Sequence, residues 1–128
     1  MFSKKTMDVF REQKNIGFLK DADAVGKVGN PSCGDIMWVY IKVGKNDKGE
    51  KVITDVKAKT FGCVAAIATA SAVGDMAKGK TLEEAEKISM QGIAEALDGL
   101  PPEKMHCSAL AQKGLKAAIE EYKNQKKQ

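Results

Sequence analysis

Apolar and polar residues alternate most cleanly from Ile36 to Val43, where Met37, Val39, Ile41 and Val43 fall on one face and Ile36, Trp38, Tyr40 and Lys42 on the other. A period of two in a run rich in β-branched and aromatic residues predicts a strand. Its second face is unusually apolar for a solvent side, so Trp38 and Tyr40 are expected to be covered by the N-terminal segment or by a partner. Gly44 to Gly49 has the composition of a turn, which makes Lys51 to Thr60 an antiparallel hairpin partner. A shorter strand is expected around Ala24 to Val28, just ahead of the glycine-flanked loop Gly29-Asn30-Pro31-Ser32-Cys33-Gly34-Asp35.

Beyond this hairpin the period changes. Val64 to Lys78 is alanine-rich and apolar nearly all round, the pattern of a buried helix packed closely on the sheet. Gly79 ends it, Thr81-Leu82-Glu83-Glu84 is a capping box opening a helix to about Ile88, and Ser89 caps a further short helix that stops near Asp98-Gly99. Cys107, Leu110, Ala111, Leu115, Ala118, Ile119 and Tyr122 then recur at three- and four-residue steps. That C-terminal helix is expected to begin only after Pro101-Pro102, because neither proline has an amide to donate and the second holds its predecessor extended. At the other end Ser3 can cap a short helix to Gln13, with Met7 and Phe10 on one face. The stripe is thin, so residues 1 to about 20 are expected to be flexible, loosely held or ordered by a partner.

Length and composition narrow the reading to a single domain over residues 1–128, with 43% hydrophobic and 30% charged residues. No run approaches the roughly 20 apolar residues of a membrane span. The start Met-Phe-Ser-Lys-Lys-Thr-Met-Asp has neither an apolar signal region nor the acid-poor character of a transit peptide, which makes the cytoplasm the expected compartment. The net charge of +4 arises from 21 basic residues scattered among 17 acidic ones. Only Lys123, Lys126 and Lys127 cluster, on a tail over 123–128 that is expected to fray, so nucleic acid is not an expected partner.

Three cysteines change the picture more than the charge does. They cannot all pair, and a reducing compartment disfavours disulfides. Cys33 sits in the glycine-flanked loop with Asp35 two residues on, Cys63 opens the alanine-rich helix, and Cys107 follows the single histidine, His106, at the start of the last helix. Unpaired amides and the positive end of the helix dipole favour a thiolate at such a start, so Cys107 reads as a ligand or nucleophile, against the alternative of a small apolar residue that happens to follow a histidine. Thiolates and imidazole suit zinc and iron-sulfur iron, and spacings of 30 and 44 residues mean that only a folded domain can assemble the site. Five candidate ligands exceed what a tetrahedron needs. The surplus makes sense if ligands exchange, with a carboxylate standing in where a thiolate would hold too tightly. A Cys/His hydrolase is the rival class, but adjacent helical side chains diverge by about 100° and are not expected to form a nucleophile-base pair. The expectation is one rim pocket where all five groups meet.

The loop Gly29 to Asp35, the run Lys59-Thr60-Phe61-Gly62-Cys63 with Ala65-Ala66-Ile67-Ala68, and Leu100-Pro101-Pro102-Glu103-Lys104-Met105-His106-Cys107-Ser108 resemble the three signatures of the IscU family of iron-sulfur cluster assembly scaffolds and of the related NifU N-terminal domain, in order and across nearly the whole chain. The resemblance implies an α+β fold, a three-stranded antiparallel sheet with four to five helices packed on it, and a platform rather than an enzyme. It implies that Cys33, Cys63 and Cys107 accept persulfide sulfur from a cysteine desulfurase and bind iron, that Asp35 and His106 are exchangeable ligands with Asp35 keeping the cluster labile, and that a transient 2Fe-2S cluster is built and passed on, zinc filling the resting site. A zinc-bound sulfur acceptor serving the desulfurase is the alternative reading. Leu100, Pro101, Pro102, Glu103 and Lys104 resemble the segment recognised by a DnaK-type chaperone. The further partners implied are its co-chaperone, an iron donor, a ferredoxin and apo acceptor proteins, with the chain a monomer or a cluster-bridged dimer or trimer. Three departures stand out: Glu103 where the chaperone motif commonly has valine, Phe2 for a frequent tyrosine, and Gln13 for a usual proline. His106-Cys107 and the 44-residue step separate the chain from the zinc-dependent SufU branch.

Overall fold

The computed structural model describes residues 2–30 and 35–126, with the backbone alone at positions 30, 35 and 126. Three strands, β1 (Ala24–Asn30), β2 (Asp35–Lys45) and β3 (Lys51–Phe61), form one antiparallel sheet in the order β1-β2-β3. Five helices accompany it: α1 (Lys4–Glu12), α2 (Val64–Ala77), α3 (Leu82–Glu86), α4 (Met90–Ala96) and α5 (Met105–Lys126), the last entered through a 3-10 turn at Pro102–Lys104. This is the expected α+β architecture, with β1 reaching two residues further than its sequence suggests.

Register explains the layering. Val39 lies between Gly26 and Ala58, and Ile41 between Ala24 and Val56, so these residues share the inner face with Met37. Met37, Val39, Ile41, Val56 and Ala58 are fully buried there. α5 lies across β1 and β2, and α2 lies on β3. The approach of α5 is as close as backbones allow: a Cβ on Gly26 would stand 2.4 Å from both the Ala118 nitrogen and the Gly114 oxygen. The alternation in β2 breaks at Lys42/Val43, where the register with β3 shifts, leaving Val43 only partly buried instead of fully inward. An extra residue on one strand turns the following side chains off their face.

On the outer face Trp38 is flanked by its cross-strand neighbours Lys27 and Lys59, whose ammonium groups lie 5.5 and 5.9 Å from the indole centre. Phe18 meets Tyr40 edge-on, and Phe61 meets Trp38 in the same way. Part of the cover expected for these rings therefore comes from the segment before β1 and from lysine stems.

Both ends of the described chain make contacts with the rest of the fold. α1 packs on α2, with Val9 against the main core and polar contacts beside it. Ser3 caps it, Thr6 is fully buried, and both hydroxyls reach the carbonyl of Leu97. Asn15, buried in an uncommon left-handed conformation, donates to the Ser71 carbonyl and to Asp75, and accepts from Lys78. At the C-terminus α5 continues to Lys126, and Lys123 pairs with Glu86, so a helix occupies most of the stretch expected to fray. Among the described residues no helix is long and apolar enough to cross a membrane.

Candidate metal and sulfur site

The site forms where β3 ends and two helices begin. Gly62 turns the chain out of the sheet, and Cys63 becomes the N-cap of α2 with extended backbone angles. The last helix begins after both prolines, as expected, and Pro102 opens the 3-10 turn that leads into it, where a missing amide costs nothing because that amide has no intrahelical acceptor. The amides of Lys104 and Met105 bond back to the carbonyls of Pro101 and Pro102, and this tight turn sets His106 and Cys107 at the opening of α5. The Thr69 hydroxyl donates to the Cys107 carbonyl at 3.3 Å, tying α5 to α2 at this level.

Cys63 Sγ and Cys107 Sγ are 3.9 Å apart. Their closeness depends on Ala65 and Ala66, both fully buried, whose small side chains form a satellite apolar cluster with Cys107, separate from the main core. Phe2, Cys63 and Leu100 pack against that cluster. Cys107 itself has 0% exposure, so it lies beneath the rim on which it was expected. Its burial follows from its place one turn into α5, facing α2, while Cys63 and exposed His106 stand above it.

His106 also corrects the sequence argument. Its Nε2 is 3.5 Å from Cys107 Sγ, although adjacent Cβ vectors diverge, because the ring is long enough to reach back along the first turn. Nδ1 lies 3.1 Å from the Glu103 carbonyl, an acceptor only, so that nitrogen donates, and Nε2 is the ring nitrogen turned to the sulfur side. A ring nitrogen donating to a backbone carbonyl is the arrangement commonly found behind a histidine that binds metal through its other nitrogen.

The electrostatics favour a charged Cys63. Partial burial pushes its thiol up, but the Ala66 and Ala65 amides at the open end of α2, the Cys107 thiol and the Lys104 charge outweigh this and hold it below the ordinary thiol range. Cys63 is thus the half-exposed sulfur with the depressed pKa, and Cys107 the buried sulfur beside it.

Of the five expected ligands, Cys63, His106 and Cys107 come together. Cys33 and the side chain of Asp35 lie outside the described residues. The backbone of Asp35 pairs with Asn30 at the end of the sheet from which the loop departs. Among the described residues no group of three or more His, Cys, Asp or Glu side chains is arranged to hold a metal ion. Of the segment expected to meet a chaperone, Leu100 is half-buried, bridging the satellite cluster and the main core, and Pro101 and Lys104 are half-buried, while Pro102 and Glu103 are exposed. Sequence reasoning did not single out Ala65, Ala66 and Phe2 as parts of the site. Two alanines directly after Cys63 were the available signal for a close approach; Phe2 gave none, being far away along the chain.

Comparison with known proteins bears on this geometry. The family model described as the NifU-like N terminal domain matches residues 1–128. The chain is 55% identical over 122 residues to iron-sulfur cluster assembly scaffold protein IscU 1 of Archaeoglobus fulgidus, covering 95% of this chain and 76% of that one. It is 49% identical to the IscU scaffold of Buchnera aphidicola subsp. Baizongia pistaciae, covering 98% of each. Among solved structures, a protein of Fervidobacterium islandicum AW-1 assigned as an iron-sulfur cluster assembly scaffold for the SUF system superposes with TM-score 0.71 and 26% identity, over 92% of this chain and 96% of that one. The N-terminal part of a NifU-like protein from Brucella abortus, 20% identical with TM-score 0.70 over 95% of this chain and 94% of that one, shares the fold.

Proposed function

This chain belongs to the NifU-like N-terminal domain family, and on that premise we propose that it is a scaffold on which a labile 2Fe-2S cluster is assembled and handed on. The observation that carries the reading is the sulfur pair itself: a half-exposed Cys63, its thiol held below the ordinary range, 3.9 Å from Cys107, whose sulfur in turn lies 3.5 Å from Nε2 of His106. Cys33 and Asp35 complete the set, with Asp35 as the weak, exchangeable ligand. The cluster is cargo, so the domain is a platform and not an enzyme.

Sulfur arrives as the outer atom of a persulfide on a cysteine desulfurase. The Cys63 thiolate attacks that atom, the donor's S–S bond breaks, and the donor cysteine leaves as a thiolate. The sulfur enters at the zero-valent level, so each sulfide of the cluster requires two electrons, which a ferredoxin supplies. Iron from a donor binds the thiolates, and zinc holds the same groups at rest. Leu100 to Lys104 is the segment offered to a DnaK-type chaperone and its co-chaperone; Glu103 at its exposed centre shifts the specificity away from partners selecting an apolar residue there. The cytoplasm is the proposed compartment, and apo iron-sulfur proteins are the proposed acceptors.

Anaerobic reconstitution with iron, a desulfurase and cysteine tests this. The expected result is the visible absorption of a 2Fe-2S centre, with about two irons bound per cluster by metal analysis. Tight zinc retention with accelerated desulfurase turnover and no colour overturns the scaffold reading in favour of a zinc-bound sulfur acceptor.

A further inference from the structure

The inner sulfur of the site is sealed, and its cover is unequal. Of the described residues packed in or against the satellite cluster with Cys107, Ala65 and Ala66 belong to the first turn of α2, Cys63 is its cap, and Leu100 is wedged between two clusters. Phe2 differs from all of these. It precedes the Ser3 cap of α1, so its ring can swing out without breaking a helical or ladder hydrogen bond. The segment behind it is pinned, because the Ser3 and Thr6 hydroxyls both hold the Leu97 carbonyl. Beside the ring lies a groove of about 390 Å³ lined by Phe2, Ser3, Asp98, Gly99, Leu100 and Pro101, which gives the ring a place to go. A hinged aromatic residue, a fixed anchor next to it and an open groove alongside are the parts of a gate.

We propose that Phe2 is the residue that sets which reagents reach Cys107 from solvent: closed, it leaves Cys63 as the accessible thiol of the pair, and open, it admits a reagent to the inner sulfur. This rests on the reading that Cys107 takes part in sulfur and metal handling. Phe2 is a specificity residue here, since it touches the apolar cluster around the sulfur rather than the sulfur's cargo.

The test uses the full chain, metal-free, with Cys33→Ser and Cys63→Ser so that Cys107 is the single thiol. Its alkylation by iodoacetamide is followed by mass spectrometry beside amide exchange in α5. Removing the ring, Phe2→Ala, is expected to raise the Cys107 rate roughly tenfold, as loss of part of an aromatic side chain's burial implies. Phe2→Leu is expected to raise it less, and α5 exchange to stay unchanged in both. Ser3→Ala, which loosens the anchor without touching the cluster, is expected to accelerate alkylation too and serves if the Phe2 variants do not fold. Equal rates with and without the ring overturn the proposal, as does acceleration matched by faster α5 exchange, which would mean general loosening. Failed cluster reconstitution with normal Phe2 dependence sinks the scaffold reading and leaves the gate; the reverse pattern sinks the gate alone.

Discussion

Cys63 caps one helix and Cys107 opens another, yet their sulfurs stand 3.9 Å apart across a contact built on two alanines. The pair is asymmetric, one sulfur half-exposed and one sealed. Replacing the inner one, Cys107→Ser, is expected to lower both persulfide loading and cluster yield several-fold while the fold persists, because serine nearly matches the thiol in shape. Mass spectrometry after incubation with the desulfurase, together with the visible spectrum, checks this; normal values for both would show that the sealed sulfur is dispensable.

Alkylation of Cys63 against pH, resolved by peptide, is expected to have its midpoint below the unshifted 9.0. The helix amides and the Lys104 charge depress it against the opposing effect of burial. Lys104→Ala removes a cation and moves the midpoint up. Because the folded value is depressed, the accompanying stabilisation is complete above the unfolded thiol's value and is lost as pH falls through the lowered native one. A midpoint at or above 9.0 in the parent chain would contradict the electrostatics described.

On the proposed reading, Asp35→Ala removes a replaceable oxygen ligand. Cluster transfer to an apo ferredoxin is expected to slow by about tenfold, because release then requires a thiolate to leave first. Transfer at the parent rate would remove Asp35 from the release step.

Gly26→Ala addresses the sheet rather than the site. Its Cβ would meet backbone atoms of α5 at 2.4 Å, and backbone cannot rotate away as a side chain can. A loss of at least 1–3 kcal/mol is expected, in the range of overpacked cores, read as a lowered denaturant midpoint. Gly17→Ala is the control, with open space around the added Cβ but a φ of 132° that strains any side chain.

How much of this could be read along the chain depended on whether the cause was local. The capping box at Thr81-Glu84 and the Ser89 cap were legible because both partners lie within one turn, and both form. The inward run Met37, Val39, Ile41 was legible because strand parity is a property of neighbours, and it failed at Val43 where a register shift, set by the other strand, intervened. The contacts of the N-terminal segment were not legible because many of them are made by groups that carry no periodic signal, hydroxyls reaching a carbonyl about ninety residues on and Asn15 reaching the Ser71 carbonyl. For the site, the candidate residues were visible as types and positions. The depth of Cys107 was not, since it depends on which face of α5 meets α2, and the reach of the His106 ring was lost by reasoning from Cβ directions alone.

The missing side chain at position 26 has a mechanical consequence. β1 leads into the segment bearing the first cysteine and α5 starts at the one bearing the third, and the two elements touch main chain to main chain with nothing soft between them. They behave as a single welded bracket, so if the proposed cargo enters and departs, the described elements left to yield are the short arm before the first helix and the capping turn of the second.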